Sequence, residues 1–66
     1  MSQIDRLIEG LKILRKYAPE AFIYGMTRNS GSIETQEEEF GRISDHDRTL
    51  LLSLGWTTNE YYVWKF

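Results

Sequence analysis

The chain reads as an α+β domain in the order α-β-β-α-β, with a further short strand before the last one. The expected architecture is a small antiparallel sheet with two helices packed on one face. Three observations predict it. Apolar residues recur twice at helical spacing, three other segments alternate with period two, and turn or cap residues separate them. The 66 residues make one domain, spanning 1–66. At this length a core supplies only about 3–5 kcal/mol of net stability. The chain has no cysteine, so neither disulfides nor Cys-ligated zinc can staple it. Packing by large rings is the remaining resource, and five of the thirteen residues in LGWTTNEYYVWKF are aromatic.

The first helix begins at Ser2, with Asp5 three residues on in capping-box spacing. Ile4, Leu7, Ile8, Leu11 and Leu14 form its apolar stripe, which Ala18 continues, and Pro19 ends it at or just before Ala18. Gly10 costs this helix about 1 kcal/mol relative to alanine, and its missing side chain would permit another backbone to approach. Ile13 and Tyr17 fall on the opposite side from the stripe.

In AFIYGMTR, Phe22, Tyr24 and Met26 alternate with Ile23, Gly25 and Thr27, which predicts a strand. NSGS is a turn signal. SIETQEEEF then alternates Ile33 and Thr35 with Glu34 and Gln36, completing a hairpin whose second strand reads as a charged edge. Ser44 caps the second helix, Asp45 and Asp47 suit its positive end, and Leu50, Leu51 and Leu54 form its buried stripe. Gly55 is placed as the left-handed residue after it, so that Trp56 folds back onto Leu51. In the tail, Asn59-Glu60 turns a strand at 56–58 into one at 61–66. Tyr62, Trp64 and Phe66 then face the helices. Tyr61 and Val63, with Ile23, face outward as a binding patch or dimer contact.

The net charge is −2, with a balance of +2 over residues 1–32 and −4 over residues 33–66. That balance disfavours a direct nucleic-acid binder. No basic stretch followed by an apolar run opens the chain, and no apolar run is long enough to span a bilayer, so a soluble cytoplasmic protein without membrane contact is expected. His46 stands alone between Asp45 and Asp47, where neighbouring helix positions do not face each other. The serines fall in caps and turns, and the acids lack an EF-hand spacing. No enzyme, metal or cofactor is expected. Glu34, Glu37, Glu38 and Glu39, with Asp45, Asp47 and Glu60, are expected to offer an acidic surface to a basic groove on a partner, with Tyr61, Ile13 and Tyr17 as apolar anchors.

LKILRKYAPEAFIYG, ISDHDRTLLLSLGW and YYVWKF together resemble small proteins of bacteriophages and prophages. These carry a helix ending in K-Y-x-P-x-A, a β segment, S-x-x-D…L-x-x-L-G-W and an aromatic last strand. Lys16, Tyr17, Pro19 and Ala21 match the first motif, and Ser44, Asp47, Leu51, Leu54, Gly55 and Trp56 the second. The resemblance covers about half to two-thirds of the chain and brings no catalytic residue. It implies an origin on a mobile element. Accessory proteins of that origin include anti-CRISPR inhibitors, so the expected partner is a bacterial host protein such as a nucleic-acid-binding defence subunit. The alternative is a structural phage protein that forms a homodimer through its exposed sheet face.

Overall fold

The computed structural model describes residues 1–25, 33–60 and 63–66, with the backbone alone at 59 and 60. The NSGS turn, Met26, Thr27, Tyr61 and Tyr62 lie outside the described residues. Two helices and a four-stranded antiparallel sheet make an α+β fold. Helix α1 spans Gln3–Tyr17 and α2 spans Asp45–Ser53. The strands are β1 (Phe22–Gly25), β2 (Ile33–Gln36), β3 (Thr57–Glu60) and β4 (Val63–Lys65). A 3-10 turn, Glu38–Arg42, follows β2, so the EEEF run leaves the strand at Gln36.

The helix ends obey local chemistry. Ser2 Oγ accepts the Asp5 N–H at 3.1 Å, and the Asp5 carboxylate accepts the Ser2 N–H at 3.0 Å, a closed capping box. Ser44 Oγ accepts the Asp47 N–H at 3.2 Å. After α2, Gly55 takes φ +98°, its N–H donates to the Leu52 carbonyl at 3.1 Å, and the Trp56 N–H donates to the Leu51 carbonyl at 3.0 Å. That is a complete Schellman closure, and it delivers the Trp56 ring into the core.

The sheet order is β1-β2-β4-β3. This corrects the expectation that β2 is an edge: β4 inserts beside it, and β1 holds the edge. Asn59 and Glu60 also belong to a strand rather than a turn, since Glu60 pairs with Val63. Across the sheet, Ile23, Thr35 and Trp64 stand in one row, and Ile33 pairs with Phe66. This side faces the helices.

The core is Leu14, Ala18, Phe40, Leu51, Trp56 and Trp64, with Leu7, Leu11, Ile13, Tyr17, Ile43, Leu54 and Phe66 packed against it. The buried face of α1 is therefore centred on Gly10 and Leu14. Ile4 is 69% and Ile8 43% exposed, while Ile13 and Tyr17 sit at the core margin, so the stripe is turned away from its expected axis. The reason is Trp56, whose indole lies where a side chain at position 10 would be. On α2, Leu51 is buried but Leu50 is exposed, because the inward face of this helix runs through Asp47 and Leu51, four positions apart, and Leu50 lies off it.

Candidate partner-binding face

Strand phase decides which rings meet the helices. Thr35 and Trp64 are buried on the helix side, so their neighbours along the chain point the other way. Two rows form the far face: Phe22, Gln36 and Val63, then Tyr24, Glu34 and Lys65. Neither helix covers it. Phe22 is 67% and Tyr24 47% exposed, and their ring centroids lie 6.3 Å apart at a tilt of 35°. Next to them the 3-10 turn brings up its acids. Phe22, Tyr24, Gln36, Glu37 and Glu38 line one open depression of about 360 Å³.

The acids do not act as one set. Glu34 pairs with Lys65 at 3.4 Å across the strands. Glu39 pairs with Arg42 at 3.4 Å, one turn along. Glu37 caps the 3-10 turn, its carboxylate accepting the Glu38 N–H at 2.7 Å. Glu37 and Glu38 are the two that border the exposed rings.

Asp47 leaves the acidic surface altogether. It is buried, and its Oδ2 accepts the Tyr17 hydroxyl and the Lys16 ammonium, the latter at 3.1 Å. The Tyr17 hydrogen bond first, and the Lys16 contact second, hold its carboxyl below the usual carboxylate range against the opposing effect of burial. The Tyr17 oxygen also accepts the Ser44 N–H at 3.3 Å. Tyr17 thus locks the end of α1 to the start of α2, and Ile13 packs beside it against the core. The structure brings neither residue to the face that carries Phe22 and Tyr24. Tyr61 lies outside the described residues. Ile23, expected beside Val63, sits on the helix side of the sheet instead, because its register partner is Thr35.

The sequence reading missed Phe22 and Tyr24 as site residues. Their alternation was visible, but nothing local says which phase of a four-residue strand turns inward. The one indirect signal was that the Trp56, Trp64 and Phe66 rings already fill a small core.

The face is equipped to hold a cation. Exposed rings attract Arg or Lys through their quadrupoles, at about 0.5–1 kcal/mol per exposed contact, and adjacent carboxylates add a charge partner. Acids and histidines elsewhere are dispersed: among the described residues no group of three or more His, Asp or Glu side chains gathers as a metal site. Among them, no helix is long and apolar enough to cross a membrane. Comparison with family models, curated proteins and solved structures gives no match for this chain.

Proposed function

We propose that this protein is a non-enzymatic interaction module that occupies a basic surface of a bacterial host protein. One observation carries the reading: Phe22 and Tyr24 stand exposed on a helix-free sheet face, beside Glu37 and Glu38. Large rings are costly to leave in water and are typical binding anchors, and carboxylates at their margin select a basic partner. The resemblance to phage and prophage proteins supports a narrower version, an inhibitor of a defence system of the anti-CRISPR kind acting in the host cytoplasm. An acidic, ring-bearing face suits the blocking of a surface built to bind nucleic acid.

The test is affinity capture from host lysate with the wild-type chain, with Phe22→Ala, and with Glu37→Gln/Glu38→Gln. The expected result is a host protein held by the wild type, lost with Phe22→Ala and held less well by the double variant. Equal capture by all three would remove this face from the binding site.

A further inference from the structure

The edge of the sheet beside this face is chemically unfinished. Ile33 and Phe66 exchange both backbone hydrogen bonds, at 3.1 and 2.8 Å. The Ile33 N–H and C=O therefore point toward β4. Backbone direction alternates along a strand, so Glu34 and Gln36 point toward β1 and bond Tyr24 and Phe22. Ile23 and Gly25 are the alternate residues, and their N–H and C=O groups point away from β2 along the outer edge. No strand pairs there among the described residues. At Gly25, no described atom lies within 4 Å of the position a Cβ would take, and Ile23 is 62% exposed.

The two sides of that edge differ. On the helix side, α1 stops short of β1 and leaves an apolar groove of about 180 Å³. Leu11, Leu14, Ala18, Ile23 and Phe40 line it, with Arg15. On the other side stand Phe22 and Tyr24 with Glu37 and Glu38. A strand laid along β1 sends alternate side chains to the two sides. Arg15 disfavours a cation in the groove, and the glutamates favour one over the rings. The edge thus asks for a segment that alternates apolar and basic residues.

We propose that the outer edge of β1 takes an extended segment of a partner chain as a fifth strand, with its Arg or Lys side chains over Phe22 and Tyr24 beside Glu37 and Glu38 and its apolar side chains in the groove beside Ile23. This rests on the reading of the chain as an interaction module and adds the mode and the chemistry of the partner. A second copy does not meet the demand with the edge strands among its described residues. Its β1 is FIYG and its β3 is TTNE, and neither carries a cation.

The probe is a synthetic peptide of alternating arginine and valine, titrated into the full chain and followed by NMR. Two versions are N-methylated, one at every valine and one at every arginine. In antiparallel pairing the valine amides face β1, and in parallel pairing the arginine amides do. The expected result is slowed hydrogen exchange at the Ile23 and Gly25 amides, and about tenfold or greater loss of affinity for one methylated peptide but not the other. Which one is lost reports the strand direction. Equal affinity of both methylated peptides, or an unmethylated peptide that leaves the Ile23 and Gly25 amides unprotected, overturns strand addition. If the Phe22 and Tyr24 rings still respond in that case, the ring-bearing face survives as a binding site without the added strand. Concentration-dependent protection of Ile23 and Gly25 in the absence of peptide would assign the edge to a second copy and also overturn the proposal.

Discussion

Gly10 lies directly against the Trp56 indole: a Cβ at position 10 would fall 1.8 Å from the ring nitrogen. The ring is fully buried, and its N–H donates to the Arg6 carbonyl at 3.3 Å, one turn earlier on the same helix. Phe66 closes the other side, with centroids 5.2 Å apart. The indole is therefore held between the α1 backbone at Gly10 and the Phe66 ring. A glycine that weakens the isolated helix is what lets α1 sit on the core.

Gly10→Ala should accordingly destabilise the protein, by about 1–3 kcal/mol, as overpacking of a tight site does. Helix propensity alone predicts a gain of about 1 kcal/mol. The two expectations have opposite sign, so a urea titration followed by tryptophan fluorescence decides between them. A midpoint at or above wild type would show that the ring yields.

Gly55 is required for a different reason. At φ +98° the nearest atom to an added Cβ is a Phe66 ring carbon at 3.8 Å, which is ordinary contact. Space is available but the backbone conformation is not. Gly55→Ala should cost about 1–2 kcal/mol through left-handed strain alone. Gly55→Asn should recover part of that loss, because asparagine tolerates this region better. Equal losses for the two variants would point to crowding instead.

Asp47 ties stability to pH. Its carboxyl is lowered by the Tyr17 hydroxyl and then by Lys16, so the folded protein holds its proton less tightly than the unfolded chain. The unfolded state binds more protons, and stability rises with pH across that window. The contribution is fully present above the ordinary aspartate value of about 4 and is lost as pH falls through the lowered folded value. Asp47→Asn should be less stable than wild type at pH 7, with the gap closing below pH of about 4. Denaturant titrations of both proteins across that range measure it; a gap independent of pH would assign the loss to packing.

Phe22 should separate folding from binding. It is exposed, so Phe22→Ala should move the unfolding midpoint little, by about 1 kcal/mol or less, most of it strand propensity. Partner affinity should fall by about tenfold or more. Glu37→Gln/Glu38→Gln should instead slow association and flatten its salt dependence, with a smaller effect on dissociation. Binding kinetics at two ionic strengths distinguish the two. A large stability loss in Phe22→Ala would mean that the ring is structural.

The local features of this protein were legible in its sequence. The capping box at Ser2 and Asp5, the Ser44 cap, and the left-handed Gly55 with Trp56 folding onto Leu51 all follow from residues a few positions apart. Such features depend on hydrogen bonds and side-chain periods that the chain satisfies with its own neighbours. Sheet order, the exposure of Phe22 and Tyr24, the turn of α1 toward Gly10 and the capture of Asp47 by Tyr17 and Lys16 were decided by the tertiary structure. Each depends on a contact between segments far apart in the chain. A two-residue period cannot say which side of a strand faces inward, because only the neighbouring strand and the helices above it settle that register. The candidate partner-binding face is a product of that register: the aromatic residues were plain in the sequence, and their turning away from the helices was not.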